Sequence, residues 1–306
     1  MVAGMSRRSS SYPLLVLAML LWAGNYVLAR AIHADIPPVS LSFWRWAVAG
    51  VILLAITAHA VPAHAATLRR HWRLLAGLAA SGVVFFTVGL YMGLNTTTVI
   101  NATLVSSLSP VFIAVISFVL TRHAIPPRQM AGIAASLAGA VVIISRADAA
   151  ALAALEINSG DLWVLAATVS WAIYSVLLRR LPASLPPTVM LSATAVLGVA
   201  MLAPLYAWEV AAVGGFEATW ANAASIGYLA LFVSVIGIVF YNRAVADVGA
   251  IRAGLFIHLI PVFAVILALV LLGERLRPFH LAGAVFIAFG IYLTVTAPST
   301  APRVED

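Results

Sequence analysis

Two stretches decide the fold: Ser107–Leu120, SLSPVFIAVISFVL, and His258–Leu271, HLIPVFAVILALVL. Both are almost wholly apolar, and both carry Pro-Val-Phe, beginning at Pro110 and at Pro261. Proline in a helix interior removes an amide donor and clashes with the preceding turn, so two apolar segments interrupted in the same way ask for one cause. The separation, 261 − 110 = 151, is close to half of the 306 residues. The chain therefore reads as a duplication.

The same shift lays Val119-Leu120 on Val270-Leu271, Pro127 on Pro278, Ala131-Gly132 on Ala282-Gly283 and Gly139 on Gly290. Nearer the N-terminus a shift of 149 lays Trp22 on Trp171, Arg30 on Arg179 and Pro37-Pro38 on Pro186-Pro187. Low-complexity apolar sequence makes chance matches of Leu, Val and Ala common, but ordered matches of Gly, Pro, Trp and Arg are harder to obtain by accident. The expected units are residues 1–150 and 151–306.

Composition sets the solvent. With 63% hydrophobic and only 9% charged residues, the chain has too few polar side chains to cover a water-soluble domain, so lipid must surround much of it. The formal charge of +7 comes entirely from arginine on the basic side, mostly in short hinges between apolar runs, which fits membrane topology and not nucleic acid. With 0 cysteines, disulfides and thiolate chemistry are excluded. No cofactor or metal is expected.

Ten apolar runs of roughly the 20 residues that a spanning helix needs are expected at 12–32, 38–58, 72–93, 98–121, 127–146, 160–180, 187–208, 222–245, 249–273 and 278–297. The first resembles a secretory signal, with a charged head and Ala29-Arg30-Ala31, but its apolar body is too long for a usual signal core and reads as a retained helix. At these lengths only helices satisfy the backbone in lipid, which makes the fold an all-α polytopic bundle. Placing both termini in the cytoplasm puts twelve arginines inside and four outside, with Arg45 uncounted within a span, and that bias sets the expected orientation. Each half then holds five spans, an odd number, so the two copies enter from opposite faces. Inverted repeats of this kind are the architecture of many secondary transporters.

The second half also carries a motif: Asn242 to Asp247, Pro261, and then LLGERLRPFHLAGAVFIAFGIYL from Leu271. In this the chain resembles the EamA-type exporters of the drug/metabolite transporter superfamily. The first half keeps Pro110 and Gly132 but has Thr121, Arg122 and His123 where Leu-Gly-Glu would be expected. The opening LLWAGNYVLAR, from Leu20, looks most like the YddG-type aromatic amino acid exporters. The resemblance implies export of aromatic or other neutral amino acids, with nucleosides, other metabolites or drugs as the alternatives and a membrane-embedded enzyme as a remote one.

Candidate binding residues are polar or aromatic groups that lipid would not tolerate. Trp22 and Asn25 lie one turn apart on the first span, and Trp171 and Tyr174 occupy the matching depth on the sixth, so that aromatics from the two halves can approach one another. Each has an alternative as core or helix-packing residue. Tyr91, Asn95 and Asn101 flank the third and fourth spans, with Ser106, Ser107 and Ser109 close by. His258, deep within the ninth span, is either a proton or substrate group or a hydrogen-bonded core residue. Arg45, between Trp44 and Trp46, reads as an anchor at the membrane interface, with a substrate carboxylate as the other possibility. Pro110 and Pro261 are expected to bend their helices and gate the cavity. Since His258 stands in the second copy, that copy is expected to set the chemistry and the first to shape the pocket.

Overall fold

The computed structural model describes residues 2–122, 124–148, 158–272 and 276–297. Ten helices in it are long and apolar enough to cross a membrane. They are α1 (Ser11–Ala31), α2 (Pro38–Thr57), α3 (Trp72–Thr96), α4 (Val99–Thr121), α5 (Pro127–Ile144), α6 (Ser159–Arg180), α7 (Pro187–Val213), α8 (Trp220–Val248), α9 (Ala250–Leu267) and α10 (Pro278–Val295). No strand occurs among the described residues. The expected spans agree with these bounds to a few residues, except that α7 runs five residues further, through Pro204 and Glu209, to Val213, and that the α9 bound lies six residues before the expected 273. His123 of the first-half departure and Gly273, Glu274 and Arg275 of the motif lie outside the described residues.

The matched prolines have a common local reason. Pro38, Pro127, Pro187 and Pro278 each open a helix, where the missing amide would have had no intrahelical partner. Pro110 and Pro261 do the same inside their spans. In α4 the helix stops at Ser106, turns through Ser107 and Leu108, and restarts at Ser109. In α9 it passes through a 3₁₀ turn at Phe256–His258 and restarts at Leu259. Proline thus falls in the first turn of a new segment and forfeits little.

Packing repeats across the two halves. α3 lies against α6 and α8 against α1; α4 lies against α6 and α9 against α1; α2 faces α7 and α5 faces α10. Each contact maps onto a partner contact, or onto itself, when the halves are exchanged. α5 and α10 run antiparallel and touch backbone to backbone. A Cβ on Gly132 would lie 2.6 Å from the Gly290 carbonyl, and one on Gly139 would lie 2.6 Å from that of Gly283. α3 and α8 also share a departure from regular geometry, a π-helical stretch at Ala79–Phe85 and another at Leu229–Gly237.

Because the neighbour of Gly139 is a helix backbone, which cannot move aside as a side chain can, Gly139→Leu should force α5 and α10 apart. The expected loss is about 1–3 kcal/mol or more, seen as a lowered unfolding midpoint of the detergent-solubilised protein. Gly227→Ala, where no atom lies within 4 Å of the added Cβ, should leave the midpoint unchanged or raised.

Candidate functional site

Between the helices lies a central cavity of about 460 Å³, its open mouth included, with walls from both halves: α1, α2, α3 and α4 on one side and α6, α8 and α9 on the other. One wall is aromatic. Trp22 and Trp171 meet edge to face, ring centres 5.1 Å apart at 86°, as expected from their matched positions. Phe86 lies 4.7 Å from Trp171, and Tyr241 backs both tryptophans at 5.3 and 5.1 Å. The Trp22 indole N–H donates to the Val233 carbonyl at 3.2 Å, a carbonyl within the π-helical stretch of α8. In α3 the equivalent stretch offers the Ser81 carbonyl, which accepts from the Ser170 hydroxyl at 2.9 Å.

The polar wall is built around Arg45, and here the expectation from sequence is corrected. Arg45 is 2% exposed and is no interfacial anchor. Its Nε donates to Ser234 Oγ at 2.5 Å, and its Nη1 donates to the Tyr91 hydroxyl at 2.6 Å and to Asn25 Oδ1 at 3.5 Å. Tyr91 in turn donates to Asn25 Oδ1 at 3.0 Å. The guanidinium carbon also lies 5.8 Å from the Trp46 and Tyr91 ring centres, within cation–π range. No carboxylate pairs with it among the described residues. The signal was present in the sequence: Ser42, Arg45, Ala49 and Leu53 recur at helical spacing and form the buried stripe of α2. Trp44, on the other face, is 39% exposed.

Of the other candidates, Asn25 and both tryptophans line the cavity, while Tyr91 stands behind it as the partner of Arg45. Tyr174 lies just outside, stacked on Trp171 at 5.0 Å and donating to Asn242 Oδ1 at 2.9 Å. Asn25–Tyr91 and Tyr174–Asn242 are equivalent pairs under the repeat, with tyrosine and asparagine exchanged. Asn95 is not brought to the cavity: its amide donates to the Tyr91 carbonyl, and its own carbonyl helps bind Arg30. Asn101 belongs to a joint between α4 and the start of α6, donating to Asp161 Oδ2 at 3.3 Å. Thr97 donates to the other oxygen of Asp161.

His258 is fully buried and does not line the cavity, though Ile257 and Ile260 do. Its Nε2 faces the Ser107 carbonyl at 2.7 Å, and its Nδ1 faces Ser136 Oγ at 2.6 Å. A carbonyl only accepts, so Nε2 carries a proton, and in the neutral tautomer that this fixes Nδ1 accepts from the Ser136 hydroxyl. Ser107 is the repeat mate of His258, so this side chain ties the broken turn of α4 to that of α9. Among the described residues, the charged group lining the cavity thus comes from the first half, and the histidine of the second half fastens helices.

A further residue, Glu209, went unread because the seventh span was expected to stop at 208. It is buried and accepts from the Val39 amide at 3.0 Å, the Ser40 amide at 2.6 Å and the Ser40 hydroxyl at 2.7 Å. It thus caps the N-terminus of the helix that carries Arg45.

These features define an all-helical membrane protein with a central cavity. The EamA-like transporter family matches residues 9–145 and again 158–296, and the chain belongs to that family. Among its relatives are "Uncharacterized transporter YyaM" of Bacillus subtilis (strain 168), 25% identical over 91% of both chains, and the "Uncharacterized inner membrane transporter YedA" of Escherichia coli (strain K12), 27% identical over 94% of this chain and 93% of the other. A third, 26% identical over 95% of this chain and 96% of the other, is named "Probable amino-acid metabolite efflux pump" in Salmonella typhimurium (strain LT2). A crystal structure covering 93% of this chain and 96% of its own superposes with a TM-score of 0.69 at 22% identity, which shows the shared fold.

If His258 is a fastener, His258→Leu should leave the buried Ser107 carbonyl unpaired and cost about 1–3 kcal/mol, measured as a lower unfolding midpoint in detergent. Ligand affinity at the cavity should change by less than about threefold.

Proposed function

We propose that this EamA-family transporter exports aromatic or other neutral amino acids, or closely similar small metabolites, across the bacterial inner membrane by alternating access. In this reading residues 1–150 and 151–306 are inverted repeats, both termini are cytoplasmic, and rocking of one repeat against the other exposes the cavity to each side in turn. The observation that carries the reading is the cavity itself, where an aromatic wall contributed by both halves stands beside a buried, hydrogen-bonded cluster of Arg45, Asn25 and Tyr91. An aromatic or branched side chain gains on the order of 1 kcal/mol per ring contact against Trp22, Phe86 and Trp171.

Charge supports a zwitterion over a cationic drug. No Asp or Glu lines the cavity, so a carboxylate that exchanges a proton for a cation has no obvious place in it. The name of the Salmonella relative agrees with amino-acid efflux. Pro110 and Pro261, at the interruptions of α4 and α9, mark where these helices can pivot. His258, satisfied on both ring nitrogens, serves the joint between them, and proton movement is assigned no carrier at this site.

Purified protein in liposomes should take up labelled phenylalanine saturably, and unlabelled aromatic amino acids should compete. Failure of every amino acid in a panel, with nucleosides or cationic drugs moving instead, would replace this substrate class. Trp171→Ala should weaken the apparent affinity for phenylalanine about tenfold, corresponding to roughly 1.4 kcal/mol, and should affect glycine or alanine much less.

A further inference from the structure

We infer that the cavity selects its substrate by a carboxylate, so that the site takes an apolar or aromatic monocarboxylate and an ammonium group on that molecule is dispensable. The inference rests on the reading of the cavity as the transport site, and it narrows the chemistry that the site demands.

The hydrogen bonds of Arg45 carry it. Nε and Nη1 are occupied by Ser234, Tyr91 and Asn25, while Nη2 has no hydrogen-bond partner among the described residues. All three occupied acceptors are neutral, so the guanidinium sits buried on the cavity wall with its charge uncompensated. A buried charge without a counter-ion is costly, and a guanidinium presents planar N–H groups matched to a carboxylate.

Asn25 adds a second donor. Arginine only donates, so the Asn25 atom facing it must be the oxygen, which leaves Nδ2 as the free end of the amide. Nδ2 makes no hydrogen bond among the described residues, and Asn25 lines the cavity beside Arg45. The two open groups at this end are therefore both donors, one of them charged.

The remaining polar lining offers no comparable complement to an ammonium ion. Tyr26 donates to Ser106 Oγ at 2.8 Å, Ser109 to the Ser106 carbonyl at 2.7 Å and Thr168 to the Val164 carbonyl at 2.7 Å. These hydroxyls retain neutral lone pairs able to tolerate an amine, but no lining group carries negative charge to require one. Binding to a fixed cation with tolerance elsewhere predicts that removing the carboxylate abolishes recognition and removing the amine does not.

The test is isothermal titration calorimetry of the full chain in detergent against four probes that share one ring: L-phenylalanine, 3-phenylpropanoate, phenethylamine and L-phenylalaninamide. The two carboxylates should bind within about fivefold of each other, and the two amines at least about 30-fold more weakly, the size of a lost charge-assisted hydrogen bond. Arg45→Gln should weaken both carboxylates about 10- to 100-fold, and Arg45→Lys should recover part of that loss. Should Arg45→Gln fail to fold, the comparison of the four probes on the unaltered protein decides alone.

Phenethylamine binding as well as 3-phenylpropanoate would overturn the inference, as would 3-phenylpropanoate failing where phenylalanine binds, or neither carboxylate binding. Arg45-dependent binding of 3-phenylpropanoate together with no transport of any amino acid would retire amino-acid export and leave carboxylate selection standing. Transport of phenylalanine that phenethylamine inhibits equally would do the reverse.

Discussion

Within a bilayer a backbone carbonyl or amide that leaves its own helix has no water to turn to, and every irregular feature of this protein answers to that constraint. Away from the ends of its spans the chain departs from regular α-helix at four places among the described residues: the π-helical stretches of α3 and α8 and the interruptions of α4 and α9. At the first three a side chain takes up a carbonyl, and at the fourth, in α9, His258 supplies a donor to α4. Trp22 reaches Val233, Ser170 reaches Ser81, Ser109 reaches Ser106 and His258 reaches Ser107. Three of the four come from another helix. The cavity therefore opens where helices are irregular, and the residues that make those irregularities tolerable are also those that hold its walls in register.

The two halves share this scaffold and differ in what they add to it. Trp22 and Trp171 meet at the centre, and the Asn25–Tyr91 and Tyr174–Asn242 bonds repeat with their residue types exchanged. Arg30 donates to the carbonyls of Leu94 and Asn95 at the end of α3, while its mate Arg179 lies against Gly249 at the end of α8. Arg45 has no such echo: its mate is Thr194, a buried hydroxyl that returns to the carbonyl of Leu191 within its own helix. The asymmetry is one of charge.

Much of this could be read from the residues alone, since a span in lipid must be apolar, long and helical, and those demands are written locally. The ten spans, the proline-started helices and the meeting of Trp22 with Trp171 follow from run length and from matched positions. What could not be read were features that depend on distant partners. Arg45 between two tryptophans looks the same in sequence whether it snorkels to an interface or turns inward, and only the stripe of Ser42, Ala49 and Leu53 argues for the latter. Glu209 lies just past the expected end of α7 at 208, and its meaning lies in Val39 and Ser40, about 170 positions away. His258 showed its burial in the sequence, but its partners on α4 and α5 come from tertiary packing.

The facing of α2 against α7 has a consequence for how such a protein can arise. Two identical, unfused five-helix units would pair α2 with its own copy, and a cation at the position of Arg45 would then appear on both packed helices, with no acid for either. Like charges in a weakly polar interior would oppose that dimer's assembly. Joining the units into one chain removes the obligation, because a substitution in one copy no longer enters twice. The lone guanidinium is thus a feature that a symmetric ancestor could hardly have carried and that covalent linkage makes permissible.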